Sequence, residues 1–170
     1  MKKVTLRAIE PEDLDLLYEI ENDESLWQIS SSSAPYSRYV LHQYVATTKN
    51  DIFADGQVRF VIQNARKTPV GMIDLANFDA KNNRAEVGVV IRKRYAGKGY
   101  GQAAVLKLLN YAQEILGLCQ VYAIVSCDNV RAKNLFNKTG FQTVATLPQW
   151  LALGGKYVDA LLYQFVFQSK

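Results

Sequence analysis

Between "EVGVVI" and "AAVLKLLNYAQEIL" the chain sets "RKRYAGKGYGQAA", Arg92 to Ala104, with four cations and three glycines in thirteen residues. This corner constrains the fold more than any other stretch. An apolar run leads into it and a helical run leaves it, so it joins a strand to a helix. The N–H groups of a helix start point at one spot, and the helix dipole adds positive potential. Glycines at 97 and 99 let the backbone approach a bulky anion with no Cβ in the way. Such a corner is built for phosphate.

The elements around it follow from periodicity. "VTLRAI" alternates and reads as a strand. "PEDLDLLYEIEN" reads as a helix, with Pro11 suited to a first turn and Leu14, Leu17 and Tyr18 at helical spacing. "ISSSSAP" is a polar break. "YSRYVLHQYVATTKN" gives a second helix, with Tyr36 or Ser37 near its cap. "RFVIQNA", "VGMIDLANFD" and "RAEVGVVIR" are strand-like runs parted by the short dividers "RKTP" and "AKNN", which predicts an antiparallel meander. A long helix from about Gly99 to Leu116 ends at Gly117. "QVYAIVS" is a buried strand and "NVRAKNLFNKTG" a helix stopped by Gly140. "FQTVATLPQW" and "KYVDALLYQFVFQ" are two more strands, with Pro148 near a strand end. The fold class is α/β (α+β), with a mixed sheet of about seven strands and about four helices. The helical crossover makes the strand ending at Ile91 parallel to "QVYAIVS".

Composition excludes several classes. The 170 residues, 49% hydrophobic, fit one domain over 1–170 with its own core. A net charge of +4, clustered at Arg92, Lys93, Arg94 and Lys98, favours a local anion over a broad nucleic-acid face. "MKKVTLRAIEPED" lacks the apolar core of a signal peptide, and no run reaches the roughly 18 apolar residues of a membrane span. Cys119 and Cys127 lie in and just after a predicted strand and read as reduced, core or near-core residues of a cytosolic chain. His42 is the single histidine, so neither a His-based triad nor a zinc site has material to work with.

Three phosphate ligands compete for the corner. A Walker A loop needs Gly-Lys-Ser/Thr, and "GKGY" places no hydroxyl for magnesium. "GYGQAA" satisfies G-x-G-x-x-A from Gly99 to Ala104, with Asp128 downstream. A dinucleotide turn, however, follows its strand tightly, and here "RKRYAGK" intervenes. The third reading uses the whole stretch. Arg94-x-x-Gly97-x-Gly99 opens the helix, Arg92, Lys93 and Lys98 serve the remaining charge, and a diphosphate held by main-chain amides suits coenzyme A.

At this point the residues resemble a family. "RYAGKG" matches the Q/R-x-x-G-x-G/A signature of the GNAT superfamily of N-acetyltransferases, and "DNVRAKNLFNKTGF" is similar to that superfamily's second motif. "RAEVGVVI" looks like its fourth strand. The opening "LRAIEPEDLDLLYEI" and closing "GGKYVDALLYQF" are similar to the branch of spermidine and ribosomal-protein N-terminal acetyltransferases.

The resemblance implies acetyl-CoA as co-substrate. Two central strands would splay, with the pantetheine arm pairing along Val89, Val90 and Ile91. The phosphates would sit on Arg94, Tyr95, Ala96, Gly97, Lys98, Gly99, Tyr100 and Gly101. Gly88 would mark the bulge the splay needs, or simply a crowded strand position. A backbone N–H near Val89 would stabilise the oxyanion, and Glu86 would serve as base, through water. Glu86 also reads as a strand-edge partner of Arg84. Asn129 would bond the pantetheine or cap its helix. Asn134 would face the coenzyme or solvent. Many relatives carry a tyrosine acid seven residues after the motif's Asn, and here that position is Phe136. Phe136 would pack along the coenzyme arm or in the core. Tyr157, Tyr163 and Ser126 are the substitute hydroxyls.

Trp27, Tyr36, Tyr39 and Tyr44 lie where the family builds its acceptor pocket. Residues 25–45 contain no Asp or Glu, which counts against a polyamine. A small neutral or singly charged primary amine, or a protein N-terminus, is the expected acceptor, without nucleic acid or membrane. A weakly catalytic acetyl-CoA sensor is the alternative. Dimers are common among similar proteins, and nothing in this sequence specifies one.

Overall fold

The structure is a computed structural model. It describes residues 2–27 and 34–168, with Trp27 by its backbone alone. The predicted break "ISSSSAP" lies mostly outside the described residues. In chain order the elements are β1 (Val4–Arg7), α1 (Leu14–Glu21), α2 (Glu24–Trp27), α3 (Arg38–Thr47), α4 (Ile52–Asp55), β2 (Val58–Asn64), β3 (Pro69–Asp79), β4 (Arg84–Ile91), α5 (Tyr100–Glu114), β5 (Gln120–Ser126), α6 (Val130–Lys138), β6 (Gln142–Leu153) and β7 (Lys156–Val166). Single 3₁₀ turns precede α1 at Pro11–Asp13 and α5 at Lys93–Tyr95. The four longer helices are those periodicity predicts. The one-turn helices α2 and α4 are too short to show it.

Seven strands form one sheet in the order β1-β2-β3-β4-β5-β7-β6. The meander β2-β3-β4 is antiparallel, as its short polar dividers require, and β4 runs parallel to β5. Helices cover both faces. On one, α5 packs Ala104, Val105 and Leu108 against Ile73, Leu75 and Val121. On the other, Leu16, Leu17 and Ile20 of α1 and Leu41 of α3 meet Val61 and Met72. Leu17 and Leu108 are fully buried, a burial that stabilises by roughly 1.5–3 kcal/mol each.

Local chemistry fixes the ends. Pro11 opens the first turn, and Asp13 takes both Arg7 guanidinium nitrogens, at 2.6 and 2.8 Å, and the Glu10 amide at 2.9 Å. Burial pushes the Asp13 carboxyl up, but these hydrogen bonds and the Arg7 charge outweigh it and hold it below the usual value. Ser37 caps α3 by accepting from the Val40 amide.

Two expectations are corrected. Pro148 lies inside the longer β6, at a register shift between Leu147 and Leu151, where a missing N–H costs nothing. Both cysteines are free, and Cys119 is neither a core nor a near-core residue. Cys119 is exposed and Cys127 half-buried, because each lies just beyond β5 and outside its alternation.

Candidate active site at a fork in the sheet

β4 and β5 share only three rungs, Arg84–Glu86 against Gln120–Tyr122. Beyond them the strands part, although each stays paired on its outer side: β4 with β3 as far as Ile91, β5 with β7 as far as Ser126. Val89, Val90 and Ile91 are only half-buried. Their β5-facing N–H and C=O groups have no strand partner among the described residues, so an amide-bearing arm can pair there as a short extra strand. This is the predicted splay.

It does not come from a bulge at Gly88. The β3–β4 register runs unbroken from Gly71↔Ile91 to Ala76↔Glu86, and its irregularity falls between Ala76 and Asp79. Gly88 is glycine because Asp74, directly opposite, lays its carboxylate there. A Cβ at 88 would stand 2.4 Å from Asp74 Oδ1. The crowded-position reading is the correct one.

Glu86 sits on the last shared rung beside Tyr122, on the face that α1 and α3 cover. Its Oε2 accepts from Asn77 Nδ2 at 2.7 Å. Asn77 has φ +49°, within the register shift that turns it toward Glu86. Burial, with the Glu86 charge second, holds the Tyr122 phenol above its usual value. One row further along the same face, Arg59 bonds Asp74 Oδ2 through Nε at 3.1 Å and Glu21 through Nη1 at 2.6 Å. The Arg59 guanidinium stands 5.9 Å from the Tyr44 ring, whose hydroxyl burial also pushes up. Burial raises the Asp74 carboxyl despite the pull of Arg59. Arg59, Asp74, Asn77 and Tyr122 were missed in the sequence because only the strand register brings them beside Glu86. An acidic residue inside the apolar run "VGMIDLANFD" was the available signal.

The phosphate corner has the expected form. Gly97 and Gly99 have φ +73° and +85°, and a Cβ on Gly97 would meet nothing within 4 Å. Ala103 is the first amide of α5 to find a helical acceptor, the Gly99 carbonyl at 3.2 Å. The amides of Tyr100, Gly101 and Gln102 precede it and have no acceptor within the helix. Arg94 and Lys98 are exposed at this corner, 5.1 and 5.9 Å from the Tyr95 ring. Main-chain donors, space and free charge together fit a diphosphate.

Arg92 and Lys93 do not join them. Arg92 clamps both Glu19 oxygens, and Lys93 pairs with Asp23 at 3.0 Å, so both tie the end of β4 to the α1 region. A cleft of about 380 Å³ opens between these pairs, walled by Ile20, Leu26, Val90 and Ile91, with Arg94 and Arg131 at its rim. A larger hollow of about 590 Å³ lies across β6, β7 and the end of α5, away from the fork, and its lining holds no ionisable group.

Other predicted residues scatter. Asn129 caps α6, its Oδ1 accepting from the Ala132 amide at 3.0 Å. Asn134 is exposed on α6. Phe136 is a core residue, 4% exposed, with ring centroids 4.9 Å from Phe141 and 5.8 Å from Tyr163. Its position on the inner face of α6 points it into the apolar layer rather than along a coenzyme arm. Tyr39 is 72% exposed and Tyr36 39% exposed, and neither lines the cleft. Tyr44 alone of these tyrosines turns inward. The Trp27 side chain lies outside the described residues.

A forked sheet, an anion corner at the start of the helix after its first branch, and a carboxylate on the last shared rung define an acyl-coenzyme A-dependent transferase. Residues 3–142 match the acetyltransferase (GNAT) domain model, and the chain belongs to that family. It is similar to spermidine N(1)-acetyltransferase of Vibrio cholerae serotype O1, 26% identical over 99% of this chain and 95% of that one. It is likewise similar to the enzyme of that name from Escherichia coli K12, 27% identical over 93% and 83%. The crystal structure of the V. cholerae spermidine N-acetyltransferase in complex with CoA and spermine superposes with a TM-score of 0.84 at 26% identity, over 96% of this chain and 95% of that one. The chain is therefore an acetyl-CoA-dependent N-acetyltransferase.

Proposed function

We propose that the enzyme acetylates a small primary amine carrying one positive charge, with Glu86 as the base. The observation that carries this is the position of Glu86 on the last rung before the fork. An acetyl group led in between β4 and β5 would end there, beside the face that α1 and α3 cover. Gly97 to Gly101 hold the diphosphate, and Val89 to Ile91 pair with the pantetheine. A backbone N–H near Val89 faces the developing oxyanion. Asn77 fixes one Glu86 oxygen, and the other takes the ammonium proton through water. No phenol stands at position 136 to protonate the departing sulfur. A thiol with a pKa of about 8.5 is a tolerable leaving group without one.

The relatives' names favour spermidine. Residues 25–45, which hold no Asp or Glu, favour a smaller acceptor. Trp27, Tyr36, Tyr39 and Tyr44 come from this carboxylate-free stretch. A chain of three or four ammonium groups would find no carboxylate in that stretch to meet its outer charges. Thiol release from acetyl-CoA over a panel of monoamines, polyamines and N-terminal peptides tests the reading. Monoamines are expected to exceed spermidine in kcat/KM, and Glu86→Gln to lower kcat by about 10²–10⁴ with CoA affinity retained. Spermidine as the best acceptor overturns the acceptor class, and an unchanged kcat in Glu86→Gln overturns the base.

A further inference from the structure

We propose that Asp74 is a specificity-determining residue of the acceptor site, whose free oxygen, laid over the β4 backbone at Gly88, binds the ammonium of the incoming amine beside Glu86. This rests on the acetyl-transfer reading of the fork and names what selects the acceptor there.

The two oxygens of Asp74 have different surroundings. Oδ2 is held by Arg59 Nε at 3.1 Å. Oδ1 has no hydrogen-bond donor among the described residues, yet the side chain is not sealed off, being 19% exposed. It lies where a Cβ of residue 88 would be, so it sits against β4 two residues past Glu86. Asp74 pairs with Gly88 and Ala76 with Glu86, so the two carboxylates are diagonal neighbours on one face. A partly desolvated carboxylate with one oxygen unpaired, next to a second carboxylate, favours a cation between them. Arg59 does not fill that role, because it approaches from the β2 side and divides its charge between Asp74 and Glu21. An alkylammonium approaching the fork from the α1–α3 face supplies the missing donor.

Glycine at 88 is part of the same device. Any side chain there would displace the oxygen that β3 delivers. The site would then hold the amine as its cation, and Glu86 would deprotonate it in place. It would select amines that are protonated at neutral pH over aromatic amines that are not.

Calorimetry on the full chain saturated with CoA tests this with two probes, n-butylammonium and aniline, which is neutral at pH 7.5. Asp74→Asn should weaken n-butylammonium binding by at least about tenfold and leave aniline and CoA binding within about twofold. In turnover the same variant should raise KM for butylamine with a smaller change in kcat. Gly88→Ala, which keeps the charge and moves the oxygen, should give the same split and covers the case in which Asp74→Asn does not fold. Equal loss for both probes, no loss for either, or no n-butylammonium binding by the parent complex overturns the proposal. Failure of the base reading looks different: Glu86→Gln would then turn over normally, while the Asp74 split between cationic and neutral amines stands.

Discussion

Replacing Gly88 by alanine puts the packing of the fork to a quantitative test. The new Cβ would lie 2.4 Å from Asp74 Oδ1 and 3.2 Å from its Cγ, where ordinary contact begins at 3.4 Å. The carboxylate must retreat by the difference between 3.4 and 2.4 Å, or 1.0 Å. It cannot do so freely, because Oδ2 is bonded to Arg59 at 3.1 Å and Arg59 to Glu21 at 2.6 Å. Overpacking of this kind costs about 1–3 kcal/mol. In an Asp74→Ala background the obstacle is gone, and alanine in place of glycine within a strand gains about 0.5–1 kcal/mol. The sign of the substitution therefore reverses between backgrounds, with a coupling energy of about 2 kcal/mol or more. Urea unfolding of the parent, both single variants and the double variant, at constant m, measures it. A Gly88→Ala cost equal in both backgrounds to within about 0.5 kcal/mol would refute the account of why residue 88 is glycine.

Other consequences are open to direct measurement. Gly99→Ala forces an L-residue to φ +85°, a cost of about 1–2 kcal/mol in thermal unfolding, and calorimetry should show weaker CoA binding. Phe136→Ala should cost about 3–5 kcal/mol of stability while the CoA affinity of the folded fraction stays within about twofold, since the ring belongs to the core. The folded Asp13 carboxyl lies below its ordinary value, so its stabilisation is complete above the unfolded pKa of 3.8 and is lost as pH falls through the folded value. Asp13→Asn should therefore be less stable than the parent at pH 7, with the gap closing in acid below pH 3.8 when unfolding is followed by circular dichroism.

Much of this molecule was legible in its sequence because short-range chemistry decides it. The bounds of β5 match "QVYAIVS", a strand whose alternating residues Val121, Ala123 and Val125 are buried. The glycine corner declared itself because Gly97 and Gly99 adopt backbone angles other residues avoid. What escaped depends on partners distant in the chain. Arg92 and Lys93 read as phosphate ligands until Glu19 and Asp23 are brought against them. Asp74 and Arg59 join the site only through the register that sets Arg59 opposite Asp74 and Asp74 opposite Gly88. The motif count identified Phe136 as the position of a missing phenol. It could not show that the ring packs edge-on against Phe141 and at a tilt against Tyr163.

A crystal structure with coenzyme A tests the central claim most directly. The pantetheine amides should pair with β4 between Val89 and Ile91, inside the fork, with both phosphates on main-chain amides between Gly97 and Gly101. Coenzyme bound elsewhere, or β4 and β5 zipped together past Glu86 and Tyr122 in the complex, would contradict it.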